Sequence, residues 1–443
     1  MANITVTPAT SIDSAVTHGI SNADATNSIL VAEGAWVLTS ALGFDGINLT
    51  GAGSQAISID GTVGSTDDDA VSVTAGSATI TVGESGFLSG LNGAGIFLGV
   101  DGDIANAGTI IGNQALFLQG ANNVVNNSGS IRGTVGSGVV FSSVAAGTNV
   151  LNNSGTISSD TNAISCGLQD DIITNTGLIS GIVSLGEGTN AFRNYGEITD
   201  LVVGGTTNDF ITNTGLIGSS LSLGSGNNSV TNDGEITSSV DALAGNDTVT
   251  NRGTIGANVG LGEGSNVLTN SGNISGSFLG GTGIDTVTNT GWIRGSFGAT
   301  LGDGANSLIN EGTIAFSVTC GTGGDTVTNR GVIGGTLSLG DGSNFVTNDG
   351  TVAVSIFAGT GNDTVTNRGL VGAFISLGDG TNSITNEGTA GQVNGGTGND
   401  TVVNRGLITL GLSLGDGINN ITNDGTIGNG FSTGSGTDTL TNR

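Results

Sequence analysis

The chain has 443 residues, of which 84 are Gly, one is Pro and 4% are aromatic, and this composition excludes a globular domain with a thick aromatic core. A charged fraction of only 10% and a positive mean hydropathy argue against a disordered polar chain. The formal net charge is −28, with eight Arg and no Lys, so we expect no binding to nucleic acid and no membrane insertion. A thin, repetitive fold is the class that remains.

Residues 1–95 alternate apolar and polar residues but share no repeated phrase. Stretches such as SILVAEGAWVL, SQAISIDGTV and SATITVGES have the period of β-strands. The first coil of a stacked repeat must cover its strand edges. We therefore interpret residues 1–95 as an irregular, β-rich capping or assembly region.

Residues 96–175 carry the first recurring phrase, N-x-G-x-I, which begins at Asn106, Asn127 and Asn153. The intervals from each of these Asn residues to the next, ending at Asn175, are unequal, and each is longer than the nineteen residues of most intervals that follow in the chain. This spacing predicts wider solenoid coils with an extra strand or longer turns.

Residues 176–443 are strictly periodic. Counted from Asn175 to Asn442, twelve of the fourteen intervals between equivalent Asn residues are nineteen residues, one is 21 and one is 18. A unit this short cannot bury its own apolar face, so neighbouring units must stack. Within each unit two alternating stretches are separated by Gly, which indicates two strands and two turns. The sequence predicts an all-β, single-stack parallel β-solenoid (β-helix) with coils of about nineteen residues.

A second period, which spans two coils, appears nine residues before each Asn. Large and small residues alternate there, as in Leu301, Cys320, Leu339 and Ala358. This is the pattern expected when neighbouring coils interdigitate in a close-packed core. Cys320 is then a small core residue.

The residue after each Asn alternates between acid and Arg in the last eight coils. In stacked coils these opposite charges lie one strand spacing apart, so they attract each other. We therefore predict a structural ladder that fixes the coil register. The predicted ladder consists of Glu311, Arg330, Asp349, Arg368, Glu387, Arg405, Asp424 and Arg443.

Alternate coils carry a Gly-rich phrase, for example AGTGNDTVT from Ala358 and GGTGNDTVV from Gly395. These phrases resemble the G-G-x-G-x-D-x-U-x nonapeptide of the RTX family, whose parallel β-rolls bind Ca²⁺ in their turns. The nineteen-residue unit is similar to the calcium solenoids of large bacterial RTX adhesins, some regions of which bind ice. The NSGTI phrases in turn resemble the β-helical passenger regions of bacterial surface autotransporters.

The RTX resemblance implies a set of Ca²⁺ ligands. The position that binds calcium in the family is occupied by Asp247, Asp285, Asp325, Asp363, Asp400 and Asp438. The intervening coils depart from the pattern, because they place Asn there and a second acid three residues earlier. Those earlier acids include Asp303, Asp341, Asp379 and Asp416. Neighbouring coils would share one ion, or an alternating Asp/Asn ladder would satisfy its own hydrogen bonds without metal.

Catalysis is not expected from this chain. It has one His, one Tyr and no Lys, and the periodic region presents the same surface every two coils instead of a unique cleft. Ice binding is disfavoured because Thr360 and Thr397 in the turns alternate with acids. Polysaccharide binding by the N-terminal region would need an aromatic platform, and Trp36 and Trp292 are isolated.

We therefore expect an extracellular structural protein of the cell surface. The sequence stops at TLTNR in the middle of a unit, which would leave an open sheet edge and predicts head-to-tail self-assembly of a rigid rod into a filament or surface layer. The alternative is a calcium-binding stalk module of a secreted RTX-type adhesin. The expected partner is a second copy of the chain, with cell-surface glycans as a further one.

Overall fold

The computed structural model describes residues 2–143 and 145–443, which form an all-β parallel solenoid as the repeat predicts. The chain divides into two compact units, Met1–Gly226 and Asn227–Arg443, and each is described by itself. In both units each coil crosses three parallel sheets, which we call sheets 1, 2 and 3. Within the described ranges the one helical turn is the 3-10 turn Pro8–Thr10, and no helix has the length and apolarity needed to cross a bilayer.

The coils of the first unit pair in parallel along all three sheets. Sheet 1 contains Ala2–Val6, Asn27–Val31, Ser54–Ile59, Ser77–Val82, Gly102–Asn106, Val124–Asn127, Thr148–Asn153, Asp170–Asn175, Ala191–Asn194 and Phe210–Asn213. Sheet 2 contains Ile12–Ser14, Trp36–Thr39, Thr62–Ser65, Ser130–Gly133, Glu197–Ile198 and Leu216–Ile217. Sheet 3 contains Ile20–Asn22, Ile47–Leu49, Val71–Val73, Val139–Phe141, Val202–Val203 and Leu221–Gly224. Four long strands serve both sheets 2 and 3: Phe87–Leu98, Thr109–Leu118, Thr156–Ser165 and Leu178–Ser184.

The coils of the second unit are shorter and nearly identical. Sheet 1 contains Ser229–Asn232, Thr248–Asn251, Val267–Asn270, Thr286–Asn289, Ser307–Asn310, Thr326–Asn329, Phe345–Asn348, Thr364–Asn367, Ser383–Asn386, Thr401–Asn404, Asn420–Asn423 and Thr439–Asn442. Sheet 2 contains Glu235–Ile236, Thr254–Ile255, Asn273–Ile274, Trp292–Ile293, Thr313–Ile314, Val332–Ile333, Thr351–Val352 and Thr426–Ile427. Sheet 3 contains Val240–Ala242, Val259–Gly260, Phe278–Leu279, Ala299–Thr300, Val318–Thr319, Leu337–Ser338, Ile356–Phe357 and Phe431–Ser432. Leu370–Ser376, Thr389–Asn394 and Leu407–Ser413 serve both sheets 2 and 3.

The coil length read from the strand register agrees with the repeat. In the second unit Asn348 pairs with Asn367, nineteen residues away, and the same step recurs along sheet 1. In the first unit Val6 pairs with Val31 and Val31 with Ile59, so the first coils are longer than those of the second unit and differ in length from each other. The sequence predicts two strands in each coil. In most coils a bend splits the second of these into one strand of sheet 2 and one strand of sheet 3, so such a coil has three strands.

A narrow aliphatic core runs through each unit. In the coil that begins at Gly359, the side chains of Val365, Val371, Ile375 and Leu377 are fully buried. Burial of one such side chain stabilises the fold by about 1.5–3 kcal/mol. Each of them contacts the coils before and after it, so this energy is available only to stacked coils.

The Asn residue that marks the repeat closes the corner between sheets 1 and 2. Asn348 is fully buried, and its Nδ2 donates a hydrogen bond to Oδ1 of Asn367 at 2.8 Å while its own Oδ1 accepts one from Asn329 at 2.8 Å. The same bonds link Asn106 to Asn127 at 2.7 Å in the first unit. A continuous chain of amides therefore satisfies the polar groups of this corner.

Candidate functional site

Gly-rich turns position the Asp residues that the resemblance implies as calcium ligands. These turns connect sheet 3 to sheet 1. Gly359 and Gly361 have φ of +94° and +136°, a backbone region that side chains with a Cβ rarely adopt. A Cβ on Gly361 would also lie 1.9 Å from the carbonyl oxygen of Gly342 in the preceding coil. Only Gly allows the coils to approach this closely, and the turn places Asp363 two residues later on the inner side.

We call the Asp residues at this position the inner Asp residues. They are Asp247, Asp285, Asp325, Asp363, Asp400 and Asp438, and the first five are at most 1% exposed. In Asp325, Oδ1 accepts the backbone N–H of Asn306 at 2.8 Å, and the Asp325 backbone N–H donates to Oδ1 of Asn344 at 2.9 Å. The inner Asp residues and the intervening Asn residues therefore form a ladder through the backbone.

The second carboxylate oxygen of the inner Asp residues lacks a hydrogen-bond partner. The buried, unpaired atoms are Oδ2 of Asp247, Asp285, Asp325, Asp363 and Asp400. The amide of Asn306 turns away from this oxygen, since its Nδ2 donates to the carbonyls of Gly302 and Gly304 at 2.8 and 3.1 Å. The sequence allowed an Asp/Asn ladder that satisfies its own hydrogen bonds without metal. In the structure this ladder provides a hydrogen bond for Oδ1 of each buried inner Asp but none for Oδ2.

The unpaired oxygen occupies the space that small core residues leave. A Cβ on Gly280 would lie 2.3 Å from Oδ2 of Asp285. The next coil has Leu301 at the position of Gly280, and it has Asn306 at the position of Asp285. Coils therefore alternate: one coil has a small core residue together with an inner Asp, and the next has Leu together with Asn.

Burial makes the charged form of the five buried inner Asp residues unfavourable, whereas a hydrogen bond from the Asn419 backbone lowers the pKa of the partly exposed Asp438. Desolvation raises the pKa of Asp325 to about 6, against opposing hydrogen bonds from Asn306. The same cause raises the pKa of Asp247, Asp285, Asp363 and Asp400. A proton or a cation on the unpaired oxygen would relieve this cost.

The second set of predicted ligands lies on the outer side of the turns. These outer Asp residues are Asp303, Asp341, Asp379 and Asp416, and all four are exposed. Oδ1 of Asp341 accepts the hydroxyl and the backbone N–H of Thr360 in the next coil, at 2.8 and 3.2 Å. Hydrogen bonds of this kind lower the pKa of Asp303 and Asp379. The outer carboxylates therefore already have protein partners.

The structure does not bring inner and outer Asp residues into one cluster. Within residues 2–143 and 145–443, one group of three possible ligands has all its ligand atoms within 4.8 Å, and it consists of Asp45, Asp68 and Asp69 in the first unit. The sequence reasoning missed this group, although the run of acids at 67–69 was visible. Ca²⁺ requires six to eight oxygens, so the inner Asp residues supply only part of a calcium shell.

The acid and Arg ladder lies in register on the surface of the second unit. Arg368 donates to Asp349 at 3.0 Å and to Glu387 at 3.2 Å, and Arg330 lies 3.0 Å from Glu311. Arg405 pairs with Glu387, and Arg443 lies 3.7 Å from Asp424. These side chains are half exposed, so the ladder is a surface feature and not a buried ion network.

The outer face of sheet 1 in the second unit carries two columns of hydroxyl side chains. The columns contain the residues three and one before each marker Asn, as in Thr326 and Thr328. Six of the twelve residues in the first column and ten of the twelve in the second are Thr, and none is charged. The phrase T-V-T-N was the signal, but its two Thr residues were counted only as strand formers.

Comparisons with known proteins assign no family. No family model matches the chain and no curated protein matches it. Among solved structures, the chain is similar to a hyperactive, Ca²⁺-dependent, β-helical antifreeze protein from an Antarctic bacterium. The identity is 22%, the match covers 58% of this chain and 79% of that chain, and the TM-score is 0.44. A TM-score below 0.5 is too low to transfer calcium or ice binding.

Proposed function

We propose that this protein is an extracellular structural protein, not an enzyme, whose coils form a stiff solenoid that stacks head to tail with further copies. The observation that carries the proposal is the chemical identity of successive coil junctions. In the second unit each junction has an Asn amide bond, an Asp/Asn pair and three parallel strand pairings, as between the coils of Asn348 and Asn367. Parallel strand pairing of this kind can add a further coil from another copy, and such a contact propagates without closing.

Sedimentation and electron microscopy of the purified full chain test self-assembly. We expect species that grow with protein concentration and appear as filaments or sheets whose repeat along the axis is a multiple of one coil. A protein that stays monomeric at high concentration, with and without calcium, would contradict the assembly proposal.

The alternative is a calcium-binding stalk module, and the unpaired Oδ2 atoms of the five buried inner Asp residues support it. Carbonyls of the Gly turns and water would have to complete the shell. A thermal melt with calcium and with a chelator separates the two functions. A large stabilisation by calcium that is lost in Asp325→Asn supports the stalk, whereas an unchanged melt excludes calcium as a structural ion.

Ice binding is a further candidate because of the Thr columns on sheet 1. Thr360 and Thr397 in the turns are hydrogen-bonded to outer Asp residues, so sheet 1 and not the turns would be the binding face. Thermal hysteresis is the measurement. The pair Thr328→Lys and Thr366→Lys should abolish it, and the control Thr351→Lys on sheet 2 should retain it. Wild-type protein without thermal hysteresis would exclude this candidate.

A further inference from the structure

A groove of about 360 Å³ runs along the first unit, where each coil turns from sheet 1 towards sheet 2. One wall contains Ala105, Asn126 and Asn152, and the other contains Ala107, Ser128 and Ser154. The floor is the backbone around the buried Asn ladder. The groove extends over five coils, which is about 19 Å at the spacing of parallel strands.

The groove exists because the residues after the marker Asn are small in this part of the chain. The same position in the second unit holds the large side chains of the acid and Arg ladder, for example Arg330 and Asp349. In the first unit the row continues from Thr176 to Tyr195, which is half exposed in the following coil. The groove is thus a local departure from the repeat, with an aromatic ring in the coil after it.

The lining of the groove is uncharged, although the chain has a net charge of −28. Nδ2 of Asn152 donates to Oδ1 of Asn126 at 2.9 Å, which leaves Nδ2 of Asn126 as a donor and Oδ1 of Asn152 as an acceptor for a ligand. The hydroxyl of Ser128 donates to the carbonyl of Asn106 at 3.2 Å, so its oxygen can still accept. Donors and acceptors therefore alternate with the methyl groups of Ala105 and Ala107.

A peptide strand does not suit this groove. Peptides that bind along sheets gain affinity from unpaired main-chain groups at an edge. Here the main chain is already paired between coils, since the N–H groups of Ser128 and Ser154 donate to the carbonyls of Asn106 and Asn127 at 2.8 and 2.7 Å. Nucleic acid is disfavoured because no Arg lines the groove and the chain is acidic.

We propose that the groove binds a neutral polysaccharide strand that lies along the solenoid axis. Sugar hydroxyls both donate and accept hydrogen bonds, and so match the Asn126 and Asn152 amides. The apolar faces of the rings would contact Ala105, Ala107 and the methyl groups of the flanking Thr residues. The coils of Asn127 and Asn153 present the same Asn and Ser side chains to successive sugar units.

Calorimetric titration of the full chain with three neutral hexasaccharides, cellohexaose, laminarihexaose and maltohexaose, tests the proposal. We expect saturable binding of at least one of them, and no binding of the charged polymer polygalacturonate. Ser128→Arg should weaken the binding at least tenfold because its side chain fills the groove. The variant should fold, since Arg occupies the equivalent exposed position in several coils of the second unit.

The matched control is Thr290→Arg, at the equivalent position in the second unit, which should bind as the wild type does. Equal melting temperatures of both variants and the wild type would exclude a folding defect. The proposal is overturned if no hexasaccharide binds at millimolar concentration, if Ser128→Arg binds as well as wild type, or if a neutral Gly-Ser-Asn peptide binds at the same site with similar affinity.

Discussion

Buried amides and carboxylates are the residues on which the register of this solenoid depends. The marker Asn could be recognised from the sequence by its regular spacing in residues 176–443, and its role follows once the coils are stacked. The unpaired oxygen of the five buried inner Asp residues could not be predicted, because it depends on the direction in which the neighbouring Asn amide turns. In Asn306 the amide turns to Gly carbonyls, a choice that the local turn geometry decides.

Removal of one amide from the Asn ladder should be costly. Asn348→Ala would leave Nδ2 of Asn329 without its acceptor and Oδ1 of Asn367 without its donor. Stranding buried polar groups costs about 1–3 kcal/mol each. Denaturant unfolding should show a loss of about 2–6 kcal/mol, the sum for the two groups, and Thr347→Ala on the outer face should change stability by less than about 0.5 kcal/mol. Equal effects of both variants would contradict the role of the ladder.

The inner Asp residues predict a pH dependence of stability in the absence of divalent cations. Because the pKa of Asp325 is raised from 3.8 to about 6, the folded state binds more protons than the unfolded state between these values. Stability should therefore fall as the pH rises through this window. In chelator, Asp325→Asn should raise the melting temperature at pH 7.5 relative to wild type and have a smaller effect at pH 4. A shift of the same size at both pH values would show that Asp325 is not the group responsible.

At the scale of turns and strands, the positions of Gly in the sequence predict where the turns lie but not where the strands bend. The Gly-rich turns were predicted from the spacing. The split of the second strand into strands of sheets 2 and 3 was not, because the stretch that served as the example of a unit, LVGAFISL, belongs to a coil without the split. In the coil of Leu370–Ser376 it does remain one strand.

Two adjacent Gly residues in one turn provide a matched test of the turn geometry. Gly323 has φ of +133°, and a Cβ there would lie 2.2 Å from the carbonyl oxygen of Gly304. Gly324 has no positive φ, and the nearest atom to its Cβ would be 3.2 Å away. Gly323→Ala should cost about 3 kcal/mol or more, and Gly324→Ala about 1 kcal/mol or less. Thermal unfolding measures both, and a reversed order would contradict the turn geometry.

The acid and Arg ladder should contribute modestly and in a salt-dependent way. Arg368→Ala removes the ion pairs with Asp349 and Glu387, and because solvent screens pairs as exposed as these, the loss of stability should be small. The loss should shrink in 1 M NaCl. Arg132→Ala, which removes an exposed Arg that has no ion pair among the described residues, is the control. A loss unaffected by salt would mean that packing of the Arg stem, not charge, is responsible.

At the scale of the molecule, the periodic sequence determines the fold class almost completely. A period of nineteen residues with alternating polarity admits parallel stacking and little else, and the pairing of Asn348 with Asn367 has this step. The coils before Asn106 were harder to derive from the sequence, because they differ in length and share no repeated phrase. Their boundaries are given by strand pairings such as Ile59 with Val82. The groove beside Asn126 and Asn152 was also invisible in the sequence, since it depends on which small residues lie next to each other across coils.

The central claim is that equivalent residues of successive coils lie one strand spacing apart along a common axis. Pulsed electron paramagnetic resonance on spin labels within the second unit measures this directly. The labels would replace Thr250 and Thr347 in one variant, and Thr250 and Thr441 in the other. Both would be made in a chain with Cys166→Ala and Cys320→Ala, because both native thiols are free.

The two label pairs are five and ten coil steps apart in the strand register, so the backbone separations should be about 24 and 48 Å at the spacing of parallel strands. A distance that doubles between the two pairs, each with a narrow distribution, is the predicted result. Distances that fail to grow with the number of coils, or that are broadly distributed, would contradict the stacked register on which the inner Asp site and the proposed function depend.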